Sequence, residues 1–477
     1  MMEGCSTMTM QDVFTHLEQN FPADLEAVRA FLRQPSISYT GQGIQETAEM
    51  VCAMITDLGG AARVIPTRGH PLVYGRLDEG AEHTILYYSM YDVMPTDEPG
   101  WSVEPFAAEI VDLPQFGRSI VARGAVNTKG PTAAFFRALR AYKAVRGKLP
   151  LNFIFVVEGE EEMGSRQFNE FVPANKGLFA DAQVALFPFF SQHENMQTYM
   201  WLGTKGILYF ELTARGGDWG GPRSRGIHGC FAGWVHNPAW RLVRALSTMV
   251  GPDDRILVEG LRDGAVELTA AERGLVADNL DLFDTQTFLD ANDVKRFKWQ
   301  GDTVALWEKL FTEPTLNIDG IWGGYTGPET KTLLPHEASV KMDVRMVPNM
   351  DPDHVVASIR QHLDRHGFAD IEMKVLNKYP WSKMPLDAPV VQAMLKTYEQ
   401  LGHRVQVQAI NPGSAPYWIF ERVLGIPYIT GGLGHGARQH SSNEYCTVQG
   451  ILDFEKSMVL FLENYAQAQV QTQSSVN

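Results

Sequence analysis

Strands that are apolar on both faces can only be buried between two layers, and this chain carries several of them separated by helical segments. "HTILYYS" (83–89) and "LNFIFVV" (151–157) are apolar almost throughout, with the helical stretch "GPTAAFFRALRAYKAV" (130–145) between them. Shorter β-rich runs, "ARVIP" and "PLVYGRL", precede them. Far downstream come helix "PVVQAMLKTYEQLG", strands "RVQVQA" and "IPYITGG", and a closing helix "GILDFEKSMVLFLENYAQA". This alternation predicts the α/β class with a mostly parallel sheet. Ahead of it the pattern is helical from about 22 to 58. "PADLEAVRAFLRQ" sets Leu25, Val28 and Leu32 on one face, and Pro22 suits a helix start.

A chain of 477 residues exceeds the size at which one core keeps growing, so two domains are expected. The character changes near Gly206, where "GILYFELTARGG" opens a segment with its own strands and helix. In "EASVKMDVRM", Val340, Met342, Val344 and Met346 alternate with Ser339, Lys341, Asp343 and Arg345, which predicts a half-buried strand. "DPDHVVASIRQHLDRHG" is then an amphipathic helix and "IEMKVL" another strand. The expected organisation is an α/β domain over 1–204 and 380–477, with a smaller α+β lid inserted over 205–379. The polar tail "QVQTQSSVN" is expected to fray.

Net charge is −15, with no long basic run, which argues against nucleic acid and anionic membranes as partners. No apolar run approaches the ~18–20 residues of a membrane span, and "MMEGCSTMTM" lacks the basic start and apolar run of a secretory signal. Cys5, Cys52, Cys230 and Cys446 are scattered, without zinc-finger spacing, as expected for reduced thiols in a cytoplasm.

Polar clusters follow the strands, where open α/β sheets bind ligands. "YDVMP" holds Asp92, "RGAVNTKGP" holds Asn127 and Lys129, and "EGEEEMGS" holds Glu158, Glu160, Glu161 and Glu162. Four carboxylates so close need a cation, a proton or water. The stretch reads either as a solvated acidic loop or as a site, and "MGS" favours a tight turn of defined geometry. "GGLGHGARQHSSNE" adds His435, His440 and Glu444, as ligands or as structural residues.

With "PSIS", "GHPLVYG", "GW…PF", "NIDGIWGGYTG" and "VRMVPNM", these motifs in this order resemble the M20 metallopeptidase family nearly end to end, its carnosinase-like branch in particular. The resemblance implies a catalytic α/β domain with an inserted lid, a homodimer formed through that lid, and amide-bond hydrolysis at two metal ions. It also implies roles. Glu161 matches the general base. His228 matches the histidine reaching from the partner's lid to the tetrahedral intermediate. Arg345 matches the arginine that holds a substrate carboxylate, with Asn317 near the same pocket. Gly413 and Ser414 lie in "NPGSAP", which resembles a substrate-binding loop, with Asn411 where relatives carry a carboxylate.

The metal positions depart from the pattern. Met90 stands for the first metal's histidine, Phe187 for its carboxylate, and Asn127 for the bridging aspartate, whereas the second metal's Glu162 and His440 are kept. A thioether and a phenyl ring are poor company for a zinc-type ion. The expectation is at most one divalent ion, zinc or manganese, held by Asn127, Glu162 and His440, or none. Asp92, without its histidine partner, is left for Lys129 or a substrate amine. The expected activity is hydrolysis of small peptide-like or N-acyl amino acid substrates with Glu161 activating water. The alternatives are a non-catalytic protein that binds peptide-like ligands, or a metal-independent enzyme of acyl transfer, amide formation or ester and lactone opening.

Overall fold

The structure is a computed structural model that describes residues 8–474. The first helix, α1 (Met10–Arg33), begins earlier than its apolar pattern predicts, because Thr9 and Asp12 form a capping box. Pro22 therefore lies inside the helix rather than at its start. It is tolerated because Pro22 and Glu18, whose carbonyl loses its partner, are both on the exposed face. α2 (Ile44–Asp57) follows, then β1 (Ala61–Ile65), β2 (Leu72–Leu77), β3 (Thr84–Met90), α3 (Lys129–Arg146), β4 (Asn152–Glu158) and β5 (Val184–Pro188).

The chain then builds the lid from β6 (Gly206–Arg215), α4 (Pro238–Met249), β7 (Thr315–Gly323), β8 (Glu337–Met346), α5 (Pro352–Arg365) and β9 (Glu372–Tyr379). It returns through α6 (Pro389–Gln400), β10 (Tyr428–Gly431) and α7 (Val448–Ser474). The helical backbone runs on through 469–474, so most of the tail expected to fray continues α7, and 475–477 lie outside the described residues. Cys5 and most of the N-terminal decapeptide also lie outside them, while Cys52, Cys230 and Cys446 are free thiols. Among the described residues no helix is long and apolar enough to cross a membrane.

The large sheet has the order β1-β2-β4-β3-β5-β10. The β4/β3, β3/β5 and β5/β10 pairs are parallel, and the outer β1/β2 and β2/β4 pairs are antiparallel. β3 is buried at every residue, between α3 on one side and the helices of the other layer, which is why its sequence shows no alternation. "RVQVQA" does not join this sheet; its Val405–Gln408 pairs in parallel with Thr198–Trp201 in a separate ribbon.

The lid sheet, β7-β8-β6-β9, is antiparallel throughout. Its central strand β8 buries Val340, Met342, Val344 and Met346 as predicted. Ser339 and Asp343 on the opposite face are buried as well, with Ser339 hydrogen-bonded to Thr213 at 2.8 Å, so β8 is more enclosed than its alternation suggests. One apolar core draws on residues between 13 and 202 and again between 384 and 465, and a second on residues between 208 and 371. The two passages of chain between them, Gly203–Thr204 and Ser382–Lys383, pair antiparallel with each other.

Candidate functional site

The carboxyl ends of β3, β4, β5 and β10 carry or lead into Asp92, the acidic turn, Phe187 and the loop of His435 and His440, while Asn127 precedes α3. β3 and β4 are in register so that Met90 lies opposite Glu158. The chain leaving β4 turns at once into a short 3-10 helix, Glu161–Met163, closed by Gly164 and Ser165 at φ 94° and 53°. That is the tight turn "MGS" predicted. Asp92 holds it from below: its two carboxylate oxygens accept the Glu161 and Glu162 amide N–H groups at 3.0 and 3.1 Å.

Asp92 is fully buried, and burial together with the neighbouring Glu162 pushes its carboxyl up to about 7. It does not meet Lys129. The Lys129 ammonium is also fully buried, donates to the Gln34 carbonyl and sits 4.8 Å from the centre of the Phe31 ring. Burial lowers it to about 7. Lys129 is thus turned into the core at the start of α3, and neither it nor Asp92 is presented to a substrate.

Glu158 is anchored by hydroxyls, from Tyr88 at 2.6 Å and Ser165 at 2.9 Å, and burial raises it to about 8. The Glu161 carboxyl accepts no hydrogen bond among the described residues. Burial first, then Glu162, Glu158 and Asp92, hold it well above the usual carboxylate range. A carboxylate so placed is a strong base once ionised.

Asn127, Glu162 and His440 do come together. The Asn127 amide nitrogen donates to Glu162 at 2.7 Å and lies 3.2 Å from the His440 ring nitrogen Nε2. His440 approaches Glu162 at 2.9 Å. Glu444 builds this corner. Its carboxylate accepts from the backbone N–H of Gly124, Val126 and Asn127 at 3.1, 3.1 and 2.9 Å, and from buried Arg123 at 3.1 Å. His435, by contrast, is structural: its ring bonds the Gln192 carbonyl and the Tyr445 hydroxyl.

This donor set does not fit the two-ion centre the resemblance implies. The Asn127 oxygen is taken by the Thr128 hydroxyl at 2.9 Å, so the amide turns N–H, not oxygen, toward Glu162 and His440. Phe187 packs tilted among aromatics, 5.5 Å from Tyr88 and 5.7 Å from Tyr417 between ring centres, and Met90 is buried at the end of β3. Among the described residues no group of three or more His, Cys, Asp or Glu is disposed to hold an ion. Asn127, Glu162 and His440 form a hydrogen-bonded triad rather than a ligand set.

The substrate-side residues are also partly assembled. Arg345 donates to Asp343 at 2.9 Å and to the Ser414 hydroxyl at 3.0 Å, and Ser414 in turn donates to the Gly206 carbonyl at 3.2 Å. Gly413 N–H bonds the Asn411 side chain at 2.8 Å, a turn that fixes the loop carrying Ser414. Asn317 lies opposite Asp343 across β7 and β8, exposed, with its amide on Asp319. His228 stands apart on the lid, exposed, between Cys230 N–H and the Thr332 hydroxyl. The lid touches the acidic turn through Asn377, which donates to the Gly164 carbonyl at 3.3 Å. Two residues that sequence reading passed over, Tyr379 and Tyr417, lie near enough to Glu161 for its charge to bear on their phenols. No local signal marks them, since each arrives from a distant element.

The family model for peptidase family M20/M25/M40 matches residues 86–464. A Beta-Ala-His dipeptidase of Mus musculus is 30% identical over 325 residues, covering 65% of this chain and 63% of that protein. The chain thus spans under two thirds of that relative's length. A Cys-Gly metallodipeptidase of Schizosaccharomyces pombe is 31% identical over 421 residues, 83% of each. Among solved structures, an M20 family metallo-carboxypeptidase from Sulfolobus solfataricus superposes with a TM-score of 0.85 at 31% identity, over 93% of this chain and 99% of that one. The family model covers most of the chain and the fold superposes on an M20 structure, and the chain belongs to peptidase family M20/M25/M40.

Proposed function

We propose that this chain hydrolyses the amide bond of small peptide-like or N-acyl amino acid substrates with a free carboxylate. The observation that carries the reading is the pairing of two half-sites. Glu161 offers an unpartnered carboxyl on one side. On the other, Arg345 of the lid is bonded to Ser414 of the catalytic domain. Arg345 suits a bidentate carboxylate, and Glu161 suits proton removal from water. The names of the dipeptidase and carboxypeptidase relatives point to the same bond. His228, exposed on the lid, is assigned to the tetrahedral intermediate of a partner subunit. The lid, taken as 205–379, is assigned the dimer contact: Ile318, Ile321 and Trp322 are exposed on β7, an edge strand. A cytoplasmic protein is inferred from its free thiols.

Because the first-ion positions are apolar, the steps assigned here use only the chain's own groups. The same filling by Met90 and Phe187 favours the second reading, a protein that binds peptide-like ligands without turnover. Turnover of a panel of dipeptides and N-acyl amino acids by the wild type and Glu161→Gln separates the two. Product from the wild type alone supports hydrolysis. Equal ligand affinity of both proteins with no product from either establishes binding only.

A further inference from the structure

We propose that Tyr417 and Tyr379 are the oxyanion donors of the hydrolysis, their phenol hydroxyls bonding the scissile carbonyl oxygen from opposite domains. The inference rests on the proposed function and adds its electrophilic half. Hydrolysis needs charge stabilisation where the carbonyl oxygen becomes negative, and apolar groups stand at the positions of the first ion.

Tyr417 follows Ser414 by three residues in one loop. The Ser414 end of that loop is fixed by Gly206 and Arg345. The Tyr417 ring is packed 5.7 Å from Phe187, 5.2 Å from Tyr428 and, edge-on, 6.3 Å from Tyr88. Phe187 therefore does more than fill space: it is a wall against which Tyr417 is held in one rotamer.

Tyr379 comes from the lid. It ends β9 opposite Ile207, and Ile207 is also the partner of Arg345 on β8. Residues directly opposite across a sheet point to one face, so Tyr379 and Arg345 project from the same side of the lid sheet. Their Cα atoms are two strand spacings apart, about 10 Å. Arg345 and Tyr379 can thus reach a carboxylate and a neighbouring carbonyl of one small substrate.

Both rings are nearly buried, 5% exposed for Tyr417 and 7% for Tyr379. Neither hydroxyl has a hydrogen-bond partner among the described residues. Neither hydroxyl is among the fully buried unpartnered atoms either, so each ring is packed while its hydroxyl is left open to a ligand. Burial and the Glu161 charge both keep these phenols protonated, as donors must be.

In the step, ionised Glu161 takes a proton from water as the water oxygen bonds the carbonyl carbon. The carbonyl π pair moves onto oxygen, where the two phenol O–H groups stabilise it without giving up their protons. The pair then returns, the C–N bond breaks, and the proton on Glu161 passes to the leaving nitrogen.

The test compares Tyr417→Phe and Tyr379→Phe with the wild type, since each keeps its ring and so its packing. Two readouts are needed: steady-state kinetics, and affinity for a phosphinate dipeptide analogue whose tetrahedral anion mimics the intermediate. Each variant is expected to lose roughly 10²-fold in kcat with KM nearly unchanged, because one donor acts in the transition state alone. Phosphinate affinity should fall with kcat while affinity for an unreactive dipeptide stays. Unchanged kcat in either variant, or no phosphinate binding by the wild type, overturns the assignment. A wild type that turns over nothing, yet binds phosphinate in a Tyr417-dependent way, removes the hydrolysis reading and keeps the oxyanion site.

Discussion

Glu444→Ala should be among the most destabilising single changes in the catalytic domain, and its size can be worked from the contacts of one carboxylate. Glu444 is 1% exposed and accepts three backbone N–H bonds from the loop 124–127 plus one from Arg123. An orphaned buried donor costs ~1–3 kcal/mol, and breaking a buried ion pair ~3–5 kcal/mol. Arg123 keeps part of its compensation from Glu98 and the Pro95 and Ser441 carbonyls, and a water entering the vacated space restores part of the rest. The expected loss is about 4 kcal/mol for Ala and about 2 kcal/mol for Gln, which keeps one acceptor oxygen. Against a total stability of ~5–15 kcal/mol, the Ala loss is visible as a large shift in the denaturant midpoint, read by tryptophan fluorescence. Turnover should fall as well, because the same bonds set the position of Asn127 and, through it, of Glu162 beside the base Glu161. An Ala variant within ~1 kcal/mol of the wild type would refute the idea that this carboxylate organises the loop.

Glu455, buried on α7 with both oxygens unpartnered, faces Asp24 of α1 and Arg137 of α3, which pair with each other. Burial holds its folded pKa above the ordinary value, so it favours the fold fully below about pH 4.5, and this is lost as pH rises. Glu455→Met should therefore raise the unfolding temperature at pH 8 and flatten its decline between pH 5 and 8; an unchanged pH profile would contradict this. Arg345→Ala should raise KM roughly 10-fold or more for substrates with a free carboxylate, with a lowered unfolding temperature because buried Asp343 loses its partner, and steady-state kinetics on a matched amide-capped substrate should show no such KM penalty. Dialysis against a chelator should leave both unfolding temperature and turnover as they were, because the triad of Asn127, Glu162 and His440 is closed by hydrogen bonds. Loss of either, restored by zinc or manganese, would show that the triad opens to take an ion.

The α/β class and the inserted lid were legible because strand periodicity is a local signal, and the meeting of Asn127, Glu162 and His440 was legible only as what the family resemblance implies. What stayed hidden depends on direction and distance. Lys129 sits beside Asn127 in sequence, yet the first turn of α3 rotates its side chain toward Phe31 rather than toward Asp92. A proline marks a helix start more often than a helix middle, so Pro22 misdirects the start of α1, whose true start is the capping box at Thr9. For Glu444 the choice between ligand and structural residue stays open in the sequence, since its partners at 123–127 lie on the far side of the lid insertion. Tyr379 and Tyr417 carry no pattern, and only the strand register and the aromatic packing single them out.

That separation along the chain has a consequence for synthesis. The bonds that close the triad link residues 278 and 313 positions apart, and those from Glu444 span 317 and 318. At ~5–20 residues per second, roughly 15–55 s pass between the translation of Glu162 and that of His440. During most of that interval β10 and α7 do not yet exist, and the large sheet lacks its last strand. The segment after the lid then adds the last strand and brings His440 and Glu444 to the corner. Asn127 and Glu162 are therefore made long before their partner, and the triad forms only once His440 has followed β10 into place.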